Sequence, residues 1–529
     1  MDAIVDFDQK IAEHYNRQPY TSNPFSYTAP AHLRAAAHVY GVETVALRQA
    51  RVLELGCAAG GNLIPFAALH PQAQAVGVDL SSVQIEQGQA LVKHMGLLNV
   101  RLHAMSISDI TPEFGQFDYI IVHGVFSWVP PEVRQDILRV CRENLSPSGV
   151  AYISYNTYPG WKAGEIVRDA MLLHSHFADD DQKVDSAKAM LTLLSDGLAA
   201  SNPLRPSLQG AVQQLRTHSD YYIAHEYLET FNSPCYFAEF ADAAQQAGLT
   251  HVGDSEPRLE NSQIFGLNVQ LNHSLIALGQ NRLMRQQYLD FAVGRNFRKS
   301  ILVHADRENE ISISPDMSRL VDLRFAGYFE PTKKNDDASD QMRAYKTARG
   351  ELLHVDNAGL QVALEALHQA WPQAVSGQEI VQRLLQTQDV QSPEKAQAAL
   401  EALFNFGRYT MELDDGTSQA WTQQGLLAGF ASLLEWRRQV HEGIGQYNRW
   451  HNGANINLTD AEYLMLLQMA KGQASDAEIR RSLCDAWTAG RVPGNDGASL
   501  KGQRNLDAKA VKVMADLKLL LMRQGLMRE

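Results

Sequence analysis

The stretch from residue 50 to 155 constrains the fold most, because apolar runs of strand length alternate there with amphipathic runs of helix length. "RVLEL" (51–55), "AVGVDL" (75–80), "VRLHAMSI" (100–107), "FDYIIVHGV" (117–125) and "GVAYISYN" (149–156) read as five strands. The fourth is almost continuously apolar, as a strand buried on both faces must be. In "SSVQIEQGQALVKHMG" Ile85, Val92 and Met95 share a face, with Ser81 or Ser82 as N-cap and Gly96 as stop. In "PPEVRQDILRVCRENLSPSG" Pro131 stands in the first turn, and Val133, Ile137, Val140 and Cys141 form an apolar stripe. Strand, helix, strand with short links makes right-handed βαβ units and a mostly parallel sheet, an α/β Rossmann-like fold.

With 529 residues the chain exceeds one hydrophobic core, so further domains follow. Residues 1–160 hold the nucleotide-type sheet, and 161–231 are helical without the βαβ rhythm, an insertion. "YFAEFADAAQQAGLTHVGDSE" (236–256) reads as helix, Gly stop and strand, so 232–280 return to the sheet. Short strands over 281–357 predict a small β-containing middle domain. Residues 358–529 are helical, and 376–413 and 459–527 share a winged-helix-like outline that a duplication would explain.

"ELGCAAGGN" (54–62) joins the first strand to the first helix. Its spacing is GxxxGG, with Ala58 where a dinucleotide fingerprint has its middle glycine, and no phosphate-binding Lys follows. Glu54 beside the turn repels a pyrophosphate but suits a cation. Asp79 ends the next strand, where a carboxylate accepts both hydrogen bonds of a ribose diol. A sulfonium carrying an amino-acid ammonium matches these charges, so S-adenosylmethionine is the expected cofactor, on Glu54, Gly56, Gly60, Asn62 and Asp79. After the third strand, Ser106 or Asp109 and the backbone of Ile107 are candidates to read the adenine. A dinucleotide and a plain tight turn are the competing readings.

Methyl transfer needs an acceptor lone pair, aligned and stripped of water. Acceptor groups come from the carboxyl ends of strands four and five, here "HGVFSW" (123–128) and "NTYPGW" (156–161). These name His123, Asn156, Tyr158 and Trp161 as catalytic candidates, His123 also as a cofactor contact, and Trp128 at the substrate. Such aromatic density favours a cationic substrate; loop packing and a satisfied core histidine are the plainer readings. The arm "HYNRQPYTSNPFSYTAPAHL" (14–33) is too aromatic for a solvated tail. It reads as a lid over the cofactor pocket, with Tyr20, Phe25 and Tyr27 as substrate or lid residues, or as a packing arm.

"PYTSNPFSYTAP", "VLELGCAAGGNLIPFA", "HGVFSWVP" and "SYNTYPGWK", in this order, resemble the rickettsial-type lysine methyltransferases of outer-membrane proteins. "HEYLETFNSPCYFAEF" (225–240) and "YLDFAVGRNFRKSIL" (288–302) resemble the methyltransferase regulatory domain of that family. The resemblance implies a class I S-adenosylmethionine-dependent methyltransferase, a helical dimerisation insertion, a homodimer, and lysine ε-amino groups of a protein as substrate. A small-molecule methyltransferase and a DNA-binding regulator remain alternatives.

The net charge of −13 opposes general nucleic-acid affinity, and residues 376–413 lack the basic helix face of a DNA reader. Four scattered cysteines without CxxC spacing, and HExxE rather than HExxH at 225–229, predict no metal. The acidic N-terminus and the lack of a long apolar window predict a cytoplasmic chain without membrane insertion.

Overall fold

The computed structural model describes residues 16, 21–176, 179, 182–229, 231–332, 342–387, 392–413, 425–427, 429–440, 444–454, 456–472, 474–494, 499–501 and 503–528. Seven strands form one sheet: β1 (Arg51–Leu55), β2 (Gln74–Asp79), β3 (Val100–Ala104), β4 (Phe117–Val122), β5 (Leu145–Asn156), β6 (Leu249–Asp254) and β7 (Phe297–His304). Their order is β3-β2-β1-β4-β5-β7-β6. β1, β2 and β3 are parallel, with Glu54 opposite Gly77 and Asp79 opposite Ala104. The five strands read from residues 50–155, and the sixth from 236–256, are all present.

β7 corrects the expected domain boundary. Residues 281–305 were assigned to a separate middle domain, but β7 pairs antiparallel with both β5 and β6. Its residues from Arg298 to His304 are buried. The βαβ rhythm misses it because an antiparallel strand needs no crossover helix. A boundary at 357 is likewise crossed. The strand Leu323–Ala326 pairs with Val375–Ser376 on one side and Thr410–Leu413 on the other.

Two compact units are distinguished. One contains the chain up to Ser106, residues 117–119 and everything from Asp316 on; the other contains residues 107–116 and 120–315. In the first, the helix Ser82–His94 starts at Ser81, whose hydroxyl accepts from the Gln84 N–H at 3.3 Å, as the cap residue predicts. Ala59, Ile64 and Leu91, on and beside the glycine turn, share a core with Phe430, Leu433, Ile444 and Tyr447. In the second unit the insertion forms helices Trp161–Ser175, Lys183–Asp196, Arg205–Leu215 and Asp220–Tyr227 around Val167, Met171, Leu191 and Val212. Among the described residues no helix is long and apolar enough to cross a membrane.

Candidate functional site

The turn after β1 is shaped by glycines at positive φ, Gly56 at 75° and Gly60 at 78°, with Ala58 at 49° between them. The Gly56 and Cys57 N–H groups donate to the Val78 carbonyl at 2.8 and 3.0 Å, closing the turn on β2. Gly61 has no room for a side chain: a Cβ there would lie 2.2 Å from the Ser22 carbonyl oxygen. The N-terminal arm therefore touches the turn directly. The Ser22 hydroxyl accepts from the Gly61 N–H at 2.7 Å.

Asp79, at the end of β2, accepts from the Ala58 N–H at 2.7 Å and the Ser81 N–H at 2.9 Å. Burial raises its pKa, and these backbone bonds oppose the rise. Each carboxylate oxygen keeps a further lone pair for a ligand hydroxyl. Glu54 is buried at 3% exposure. Its Oε1 accepts from Asn62 Nδ2 at 2.8 Å, while Oε2 has no partner among the described residues. Burial pushes its pKa up to about 8, with the Asn62 bond opposing and the Asp79 charge adding.

Asn62 links three parts of the chain. Its Oδ1 accepts from the Phe25 N–H at 3.0 Å, from the Thr28 hydroxyl at 3.0 Å and from His451 Nε2 at 2.7 Å. Asn16 reaches the end of β2, where its Oδ1 accepts from the Ser81 hydroxyl at 2.7 Å. Phe25 contributes its backbone to the site, and its ring lies 5.8 Å from that of Tyr27. Burial pushes the Tyr27 phenol up to about 12. Tyr20 lies outside the described residues. Ser106 follows β3, next to Met105, whose N–H donates to the Asp79 carbonyl at 3.0 Å. Ser22, Thr28, Asn16 and His451 were not read from the sequence. They lie far along the chain from the turn, and none carries a local signal.

The acceptor-side candidates lie in the other unit, as does Ile107, which opens a short turn, Ile107–Asp109. His123 Nδ1 is bonded to the Tyr152 hydroxyl at 3.1 Å and the Ser154 hydroxyl at 3.0 Å. Ser154 also accepts from the Gly124 N–H at 2.9 Å. The His123 side chain keeps intermediate exposure, yet burial of the ring nitrogens and the Lys299 charge hold its pKa near about 3. Asn156 is buried and donates to Asn232 at 3.1 Å. The Tyr158 hydroxyl donates to Glu165 at 2.6 Å, and Lys162 Nζ lies 3.5 Å from the centre of the Tyr158 ring. Trp161 is buried at the start of its helix, 5.6 Å from the Tyr227 ring. Trp128 closes a turn, Phe126–Trp128, and is half-buried.

Two family models match this chain: a "Methyltransferase domain" over residues 52–149, and a "Predicted methyltransferase regulatory domain" over 219–304. The uncharacterized protein RP028 of Rickettsia prowazekii is 40% identical over 234 residues, 44% of this chain and 94% of the relative. The chain belongs to the class I S-adenosylmethionine-dependent methyltransferases. Another R. prowazekii protein, RP789, is 39% identical over 328 residues, 61% of this methyltransferase but only 59% of the relative's own length. The solved structure of PKMT2 from Rickettsia typhi superposes with a TM-score of 0.78 at 25% identity, covering 96% of this methyltransferase and 99% of that chain. PKMT2 has also been solved in complex with AdoHcy, S-adenosylhomocysteine. The regulatory-domain match takes in β6 and β7 of the methyltransferase sheet.

The residues present fit the cofactor of this family. A buried carboxyl with an unpartnered oxygen suits an ammonium, an acid at the end of β2 suits a ribose, and the turn admits close backbone approach only as glycine. Glu54, Gly56, Gly60, Asn62 and Asp79 are the residues that would hold it.

Proposed function

We propose that this chain transfers methyl groups to lysine side chains of a protein, from a donor held by the turn after β1. The observation that carries the reading is the presence of two carboxyls beside the glycine turn, Glu54 on β1 with an unpartnered oxygen and Asp79 at the end of β2. When bound, S-adenosylmethionine supplies an electrophilic methyl group on a sulfonium. The task left to the protein is alignment and exclusion of water. Asp79 would hold the ribose end and Glu54 the ammonium end.

On the acceptor side, Tyr158 supports an amine substrate. Its ring already faces an ammonium, that of Lys162, at cation–π distance, and its hydroxyl is tied to Glu165. Aromatic walls also lower an amine's pKa, which favours the neutral nucleophile. His123, its pKa held at about 3 by burial and the Lys299 charge, is neutral near pH 7 and a weak proton acceptor, which favours a hydrogen-bonding role. Likeness to PKMT2 over 96% of the chain supports a protein acceptor, and the "SYNTYPGWK" resemblance supports lysine. Outer-membrane proteins are the substrate class in that resemblance. A cytoplasmic homodimer fits the same reading, with Ile166, Leu173, Leu193 and Leu204 exposed on the insertion.

The test is calorimetric titration of S-adenosylmethionine and S-adenosylhomocysteine, with NAD as control, followed by mass spectrometry of lysines in an offered outer-membrane protein. Micromolar binding of the first two and methylated lysines are expected. Binding of NAD instead overturns the donor assignment, and donor binding with methyl transfer only to small amines overturns the protein substrate.

A further inference from the structure

The donor site is completed from the far end of the chain. We infer that His451 is a positioning residue for the methyl donor, holding the Asn62 amide and through it the Glu54 carboxyl, so that the C-terminal region sets donor affinity. This rests on the donor reading above.

The geometry leaves Asn62 one orientation. Its Oδ1 receives Phe25 N–H and His451 Nε2, the latter at 2.7 Å, lies 3.0 Å from a Thr28 hydroxyl that also donates to the Phe25 carbonyl at 2.8 Å, and its Nδ2 donates to Glu54. Reversing the amide would set Nδ2 against the Phe25 N–H, a donor that cannot turn round. Asn62, Glu54, Thr28 and His451 are all buried, so water cannot replace a lost bond cheaply. His451 must present Nε2–H to an acceptor, and burial together with the His70 charge holds it neutral, near about 3. The bond therefore persists unchanged across physiological pH.

The backbone around His451 is built for this contact. The residue sits at φ 54°, a left-handed conformation that a non-glycine residue adopts at a cost. A tight turn holds it there. The Asn448 carbonyl accepts from the His451 N–H at 3.1 Å, and the Asn448 side-chain oxygen accepts from the Trp450 and Asn452 N–H groups at 2.8 and 3.2 Å. Tyr447 and Gly453 bridge its base. The turn is in turn pinned to residues 372–373, where the Trp450 indole donates to the Pro372 carbonyl at 3.0 Å and Arg449 donates to Gln373 at 2.5 Å. Beside it, the Gly445 N–H donates to the Ser22 carbonyl at 2.7 Å, on the residue whose hydroxyl caps Gly61. Two links thus run from this segment to the donor turn, one through Asn62 and one through Ser22. Only the first reaches Glu54.

The experiment measures dissociation constants for S-adenosylmethionine and S-adenosylhomocysteine by calorimetry, with the melting midpoint of each ligand-free protein as control. His451→Ala is expected to weaken both ligands about tenfold, the worth of one buried hydrogen bond. His451→Gln, which restores an N–H donor, should recover most of that loss. In an Asn62→Ala background, His451→Ala should add nothing. A lower midpoint with unchanged affinity, or additive losses in the double variant, overturns the inference. Should His451→Ala not fold, His451→Met against His451→Gln isolates the donor at similar volume, and equal affinities overturn it. Failure of the unaltered protein to bind either ligand is a separate result that removes the donor reading itself.

Discussion

Glu54 has a folded-state pKa near about 8 because burial penalises its charge, so the folded chain holds a proton that the unfolded chain releases around the ordinary glutamate value of about 4.3. The stabilisation from that proton is fully present below the unfolded value and is lost as pH rises through about 8. The melting midpoint of the ligand-free protein should therefore fall between about pH 5 and 8 by more than it does in Glu54→Gln; parallel curves would show that Glu54 ionises normally. A cationic ligand reverses the sign, since it favours the ionised carboxyl. Donor affinity should rise over the same range, and calorimetry in buffers of differing ionisation enthalpy should detect a released proton. Asp79 is the sharper binding test. Asp79→Ala removes an acceptor from two backbone N–H groups as well as from the ribose, and charged hydrogen bonds are each worth about 1.5–3 kcal/mol. A loss of at least about a hundredfold in donor affinity is expected with a cooperative melt retained; wild-type affinity in a folded variant would remove Asp79 from the site. These two acids, with Gly56, Gly60 and Asn62, can be picked from the sequence as candidates because one strand–turn–helix–strand unit sets their spacing. Ser22, Thr28 and His451 were not, because burial against that unit, not spacing, brings them there.

The strand β7 shows why the sheet was legible only in part. Parallel strands announce themselves through the helices between them, and β1 to β6 follow that rhythm. β7 enters antiparallel, and what fixes it is a buried ion cluster rather than a period. Arg298, fully buried on β7, makes a bidentate pair with Asp290 at 2.8 Å on each arm and reaches Glu260 at 3.1 Å. Arg295 adds a 2.6 Å bond to Asp290, and the Arg298 guanidinium lies 4.0 Å from the Phe237 ring centre. The neighbouring anions raise the Arg298 pKa further, against its burial. The "YLDFAVGRNFRKSIL" stretch is thus explained by its Asp and Arg residues holding a strand in the sheet. Breaking one partner of such a buried pair leaves an uncompensated charge, at a cost of about 3–5 kcal/mol. Asp290→Asn should lower the denaturation free energy by roughly that amount, whereas Asp316→Asn, at an exposed turn, should change it little. Chemical denaturation checks both, and equal effects would show that the cluster contributes no more than a surface pair.

The C-terminal region reads from sequence as a helical, winged-helix-like and duplicated part after the catalytic one, a reading that assigns it no role in the donor site. Its packing argues otherwise. Ala59, Ile64 and Leu91, which shape the donor turn and its flanking helices, belong to the same buried cluster as Phe430, Leu433, Ile444 and Tyr447. The strand Leu323–Ala326 has both its partners, Val375–Ser376 and Thr410–Leu413, beyond residue 357. A chain ending at 357 would lose those partners, and with them the Trp450 and His451 contacts. Each large apolar side chain returned to water costs about 1.5–3 kcal/mol, and domains are stable by only about 5–15 kcal/mol. Four such side chains lost from one cluster already match that margin. Residues 1–357 expressed alone should therefore give no cooperative melt for the part bearing Glu54 and Asp79, and no measurable donor affinity. Adding residues 358–529 as a separate chain should restore both if the fragments associate. A soluble 1–357 fragment that melts cooperatively and binds S-adenosylhomocysteine as the full chain does would show instead that the donor turn is held by β1 and β2 alone. The shared cluster and the His451–Asn62 bond would then be consequences of docking rather than conditions for binding.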